Sequence, residues 1–216
     1  MLFEILSGLR KPTTGKVLLN VNGEMLETKP GYVGVVQQSY PLFEHRTLWD
    51  NLVIAAKAHN SKKDAVESAK NLISRFDLEG KEKLYPRSLS GGQRQRAAIA
   101  QQIICTNGVL LMDEPLSGLD IQMIKKTSKL ISEIAASDEK MTIIIVSHDL
   151  ISLAAICDSL IGIGRDRDVN GKVIPGAYIK WEYDLKALDL AWKPDIKQDP
   201  RFIQMIEQIE ERFELL

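Results

Sequence analysis

Val109-Leu110-Leu111-Met112-Asp113-Glu114-Pro115 is a short apolar run that ends on two carboxylates and a proline. A continuous apolar run of this length is the pattern of a strand buried on both faces of a parallel sheet. Acidic residues just after such a strand sit at its carboxyl end, where ligands of open α/β folds bind. Upstream lies Leu89-Ser90-Gly91-Gly92-Gln93. Downstream come Ser117-Gly118-Leu119-Asp120 and then a second apolar run, Met141 to Val146, closing on Ser147-His148-Asp149. Ser90-Gly91-Gly92-Gln93 reads as a helix start whose glycines allow close backbone approach, leaving N–H groups and the positive end of the helix dipole open to an anion.

Working outward, Gly92 to Ile104 reads as a helix rich in Ala and Gln, and Ile121 to Ser137 as another. Strand, helix, strand at this spacing predicts a parallel crossover. Leu2 to Leu9 carries apolar residues at helical spacing and stops at Lys11-Pro12-Thr13-Thr14-Gly15. Lys16 to Val21 alternates and meets Asn22-Gly23, a hairpin signal, before a second short strand at Glu24 to Glu27. Tyr32 to Val36 predicts a strand that delivers Gln37 and Gln38 to a loop. From Thr47 to Phe76 the pattern is helical, with Thr47 and Ser61 as expected N-terminal caps. Near the end, Asp199-Pro200 reads as a cap and first helical residue, with Phe202, Ile206, Ile209 and Phe213 on one stripe.

Composition narrows the function classes. A formal net charge of -1 over 216 residues argues against a dominant polyanion-binding surface, so no nucleic-acid partner is expected. No apolar stretch approaches the roughly 20 residues of a membrane span, and Met1 to Ile5 lacks the features of a signal peptide. Cys105 and Cys157 lack metal-ligand spacing and read as reduced core thiols. His45 and His59 carry no motif context and read as surface residues.

In order and spacing, these motifs resemble the nucleotide-binding subunit of an ATP-binding-cassette (ABC) transporter, importer-like, over residues 1 to 165. The resemblance implies an α/β, P-loop NTPase-like core with an inserted helical subdomain carrying the signature. It divides the chain into a partial core at 1–46, the helical subdomain at 47–106, a second core segment at 107–165 and a C-terminal extension at 166–216. It implies ATP as substrate with Mg²⁺. Asp113 would hold the metal and Glu114 would accept a proton from attacking water. Gln38, four residues before Leu42-Phe43-Glu44-His45, would reach metal and water, with Gln37 as the neighbouring candidate. His148 would sense the γ-phosphate, and Ser90, Gly91, Gly92 and Gln93 would face ATP held by a second subunit. Asp120 would couple the two sites across that dimer.

The implied partners are a second cassette subunit, commonly an identical one, an integral membrane permease and a solute-binding protein. The implied place is the cytoplasmic face of the cell membrane. A non-transport ABC ATPase and a non-catalytic regulatory module are the alternatives that this pattern leaves open.

One departure from the family pattern stands out. No Gly-x-x-x-x-Gly-Lys-[Ser/Thr] precedes the other motifs. Gly8 to Lys16 imitates one, but six residues separate its glycines, Pro12 interrupts it, and Val17 stands where a hydroxyl would meet the metal. The resemblance places it at the turn after the phosphate-loop helix, so that the loop and the first strands are expected upstream of Met1, with their natural loss as the alternative. Losing three charge-assisted contacts to phosphate costs roughly 4 to 9 kcal/mol, or about three to six decades of affinity. These 216 residues by themselves are therefore expected to have little ATPase activity and an incompletely covered core.

Overall fold

A computed structural model of the chain describes residues 1–21, 23–37, 39–57, 62–106, 108–137, 141–193 and 195–214. The chain divides into two compact units, Met1–Ser147 and His148–Leu216.

The first unit is built on a parallel sheet of β3 (Gly34–Val36), β4 (Val109–Asp113) and β5 (Thr142–Val146), in that order, preceded by α1 (Leu2–Leu6) and by the hairpin of β1 (Leu18–Val21) and β2 (Glu24–Glu27). The register pairs Val36 with Met112 and Asp113 with Val146, so the three strands end near one another at their carboxyl ends. β4 has neighbours on both sides, and Leu110, Leu111 and Met112 are fully buried. This accounts for the unbroken apolar run; burying each such side chain contributes about 1.5 to 3 kcal/mol.

β5 departs from the sequence reading. Its continuous apolar run is the pattern of a buried strand, yet Ile144 and Val146 are 38% and 43% exposed. The exposed positions alternate along the strand, so one face of β5 is left uncovered, and among the described strands of this unit β5 pairs with β4 alone.

Between β3 and β4, among the described residues, lie the α-helices α2 (Leu48–Ala56), α3 (Lys62–Arg75) and α4 (Gly91–Cys105), with a short 3-10 turn at Pro86–Ser88. α2 packs on both α3 and α4, and α4 also packs on β3. Thr47 caps α2 as expected, accepting from the Asp50 N–H at 3.1 Å. The expected cap at Ser61, like Asn22 and His59, lies outside the described residues. The Ala and Gln content of α4 has a physical use. Ala97, Ala98 and Ala100 are buried and let its backbone come close. Gln102 then supplies an acceptor for the Val35 N–H of β3 at 3.0 Å, and a Cβ at Gly34 would lie 3.0 Å from the Gln102 carbonyl. After β4, α5 (Ile121–Ser137) packs Leu130, Ile131 and Ile134 inward.

Gly8 settles the reading of the stretch that imitates a phosphate loop. It has φ of +76°, and a Cβ there would meet the Lys29 backbone at 2.9 Å. The segment leaves a helix and leads into β1, the reverse of the strand, loop, helix order of a phosphate loop.

The second unit contains α6 (Leu150–Ala154), an antiparallel pair of β6 (Ser159–Gly164) and β7 (Tyr178–Asp184), and α7 (Pro200–Glu214). Asp199 accepts from the Arg201 N–H at 2.8 Å at the start of α7. Phe202, Met205, Ile206 and Ile209 form a core with Leu160, Leu185, Leu190 and Ile196, flanked by Trp181 and Tyr183. The apolar stripe read from the sequence thus packs within its own unit. Phe213 has no described side chain. Both cysteines are free thiols; burial first, and the Asp158 charge second, push the Cys157 thiol up to about 12. Among the described residues, no helix is long and apolar enough to cross a membrane.

Candidate functional site

The described candidate residues of the first unit lie at the carboxyl end of β4 and at the start of α4. Asp113 is the last residue of β4 and is exposed. It lines a cleft of about 420 Å³ together with Met1, Glu4 and Ser7 near α1 and with Gln37 and Ser39 after β3. No group of three or more His, Cys, Asp or Glu able to hold a metal occurs among the described residues. Two carboxylates, Asp113 and Glu4, line this cleft beside amide and hydroxyl oxygens, a donor set that suits a hard cation keeping water and phosphate oxygens in its shell, as Mg²⁺ does.

Glu114 leaves the strand with φ of +50°, a left-handed conformation that residues with a Cβ adopt at a cost of about 1 to 3 kcal/mol. Its N–H donates to the Val146 carbonyl at 2.9 Å, and its carbonyl accepts from the Ser117 N–H at 3.2 Å. Its Oε2 accepts from the Ser147 hydroxyl at 3.2 Å.

The start of α4 is held by a reciprocal cap. Ser90 Oγ accepts from the Gln93 N–H at 3.3 Å, and Gln93 Oε1 accepts from the Ser90 N–H at 3.0 Å. This capping box is visible in the sequence as Ser-x-x-Gln. Gly91 is exposed, and an added Cβ would meet nothing within 4 Å. Gly92 is different: a Cβ there would lie 2.3 Å from Cε of Met123. Met123 belongs to the first turn of α5, whose N–H at this residue donates to Asp120 Oδ1 at 2.9 Å. The signature start and the Asp120 turn are therefore neighbours, and the thioether of Met123 lies between them.

Gln38 lies outside the described residues. Tyr40, two positions on, is described, and its phenol donates to the Pro115 carbonyl at 3.3 Å. Glu44 makes an ion pair with Arg94 of α4, which ties this loop to the signature helix. His148 is exposed and opens the second unit, and Asp149 caps α6 by accepting from the Ser152 N–H at 3.0 Å.

The family model for the ABC transporter family matches residues 1–117, just over half of the chain. The chain belongs to the ABC transporter family. It is 33% identical over 224 aligned positions to the methionine import ATP-binding protein MetN of Bacillus subtilis (strain 168), covering 100% of this chain and 61% of that protein. It is 37% identical to the L-cystine transport system ATP-binding protein TcyN of Escherichia coli (strain K12) over 64% of this chain and 55% of that one. The chain thus spans less than two thirds of the length of these relatives. The solved structure of cbiO1 from Clostridium perfringens, part of the ABC transporter complex cbiONQ, matches with a TM-score of 0.65 at 24% identity, over 87% of this chain and 73% of that one. That likeness carries the fold, the mixed α/β cassette.

Proposed function

We propose that this chain is the energy-coupling ATPase component of an ABC importer. The observation that carries the reading is the placement of Asp113 and Glu114 at the carboxyl end of the central strand, with Asp113 facing the cleft and Glu114 held by Ser147 and Val146. Asp113 holds Mg²⁺, which when bound neutralises charge on the phosphoryl oxygens. Glu114 accepts the proton of the attacking water. Ser90 to Gln93 present the N-terminus of α4 to the phosphate of ATP on a second cassette subunit, and Asp120, beside Met123 and Gly92, couples the two sites. His148 and Gln38 contact the γ-phosphate and the water. The chain lies against a permease on the cytoplasmic side of the membrane, in keeping with relatives that are import ATP-binding proteins.

The test is affinity purification of the tagged chain from membranes, with and without MgATP, beside Glu114→Gln. The expected result is an integral membrane subunit in both preparations and a second cassette subunit retained more tightly by Glu114→Gln in ATP. Capture of neither overturns the reading.

A further inference from the structure

The residue after Glu114 is Pro115, and its carbonyl oxygen is a meeting point for distant parts of the first unit. Gln95 of α4 donates to it through Nε2 at 2.6 Å, and Tyr40 donates through its hydroxyl at 3.3 Å. The same Gln95 amide nitrogen donates to the Tyr40 hydroxyl oxygen at 2.8 Å, and Gln95 Oε1 accepts from the Thr127 hydroxyl of α5 at 3.3 Å. Gln95 and Thr127 are 1% and 4% exposed. Both polar atoms of a fully buried amide are thus committed, and every bond reaches another segment: the loop after β3, the turn after β4 and α5. Burial, partly offset by the Gln95 hydrogen bond, pushes the Tyr40 phenol above its ordinary value. The phenol therefore keeps the proton that it donates to Pro115.

The location gives these bonds their meaning. Glu114 stands in a left-handed conformation that its side chain disfavours, and the carbonyl clamped by Gln95 and Tyr40 belongs to the adjoining residue. Release of that carbonyl frees the turn to relax toward ordinary backbone angles, moving the carboxylate away from Ser147. Tyr40 also has a positive φ, +47°, so the loop on the other side of the clamp is held in an unfavourable conformation as well.

We propose that Gln95 is a positioning residue which, together with Tyr40, clamps the Pro115 carbonyl and so ties the backbone geometry at Glu114 to the position of the loop after β3. Displacing that loop loosens the turn, and loosening the turn releases the loop. The backbone coupling stands by itself; its consequence for hydrolysis rests on Glu114 acting as the proton acceptor.

Hydrogen exchange of the 216-residue protein, without nucleotide, reads the clamp directly. The variants are Tyr40→Phe, Gln95→Leu and the two combined. Tyr40→Phe removes one hydroxyl and is expected to speed amide exchange over residues 114–118 by about threefold to tenfold, the equivalent of one hydrogen bond. The Ser117 N–H, which donates to the Glu114 carbonyl, is the reporter. Exchange over α3 should stay at the parent rate, and the double variant should match Gln95→Leu at 114–118 because both substitutions break one network.

Unchanged exchange at 114–118 in Tyr40→Phe overturns the clamp, and so does a rise spread evenly over α3. If Gln95→Leu fails to fold, Tyr40→Phe decides alone. In a transporter complex whose cassette subunit also carries a phosphate loop, Tyr40→Phe should lower kcat with little change in the KM for ATP. Faster exchange at 114–118 with kcat unchanged would keep the clamp and instead remove Glu114 from the chemistry.

Discussion

Ser147 donates its hydroxyl to Oε2 of Glu114 across 3.2 Å, joining the ends of β4 and β5 through side chains where the Glu114 N–H and Val146 carbonyl already join them through the backbone. The carboxylate is thus oriented by the neighbouring strand. Glu114→Gln keeps a side-chain oxygen for Ser147 and leaves the backbone bond intact, so the fold should be unchanged. It removes the proton acceptor, and in a transporter complex whose cassette subunit also carries a phosphate loop, phosphate release should fall by about 10² to 10⁴-fold, with ATP binding retained. Turnover by Glu114→Gln at the parent rate would take this residue out of the mechanism.

The two signature glycines separate a role in assembly from a role in folding. Gly91 has an ordinary φ and open space around it, so Gly91→Ala should melt at the parent temperature, whereas Gly91→Glu should block ATP-driven pairing with a second subunit by bulk and charge. Gly92→Ala forces the Met123 thioether aside, a displacement that a flexible side chain absorbs at a cost of about 1 kcal/mol. Met123→Ala should restore the loss. Thermal melts of the 216-residue protein, and gel filtration in MgATP of a form that also carries a phosphate loop, check both. A fall in melting temperature for Gly91→Ala as large as that for Gly92→Ala would show that both glycines serve packing.

Much of this arrangement is legible in the sequence because it is periodic or local. The apolar run Val109 to Met112, the helix Ile121–Ser137, the Thr47 cap and the Ser90-x-x-Gln93 box depend on neighbours a few residues apart. The exposure of Ile144 does not, since it depends on what covers that face of β5, which no local pattern records. Gln95 meets Pro115 and Tyr40 across 20 and 55 positions. No spacing rule links such residues, and a glutamine in an Ala-rich helix otherwise reads as solvated surface. The packing of Met123 on Gly92 is hidden for the same reason.

Asn51 is fully buried on α2 and organises the loop that contains Phe43 and Glu44. Its Oδ1 accepts from the Phe43 N–H at 2.8 Å and from Gln101 Nε2 at 3.3 Å. Its Nδ2 reaches the carbonyls of Phe43, Arg46 and Thr47 at 3.2, 3.3 and 2.9 Å. Asn51→Leu keeps nearly the same volume but strands these backbone groups, and should destabilise the first unit by about 2 to 4 kcal/mol. Urea unfolding followed by circular dichroism measures this. A midpoint within error of the parent would mean that water replaces the amide at no cost.

Gly162 of β6 pairs directly with Trp181 of β7, and the register shifts at Gly162/Ile163. A Cβ on Gly162 would lie 2.0 Å from Cε2, 2.4 Å from Cζ2 and 2.5 Å from Cδ2 of the Trp181 indole. A rigid ring cannot yield as the Met123 thioether can, and Trp181 is itself packed against the core around Leu160 and Phe202. Gly162→Ala must therefore shift the strand or the ring, at a cost of about 1 to 3 kcal/mol. Hydrogen exchange should show faster opening of β6, β7 and α7, while β3 and β4 of the first unit keep the parent rates. Adding Trp181→Ala removes the ring that the new methyl strikes, so the double variant should lose less stability than the sum of the single changes. Additive losses would mean that the glycine is needed for the backbone at the register shift and not for the indole.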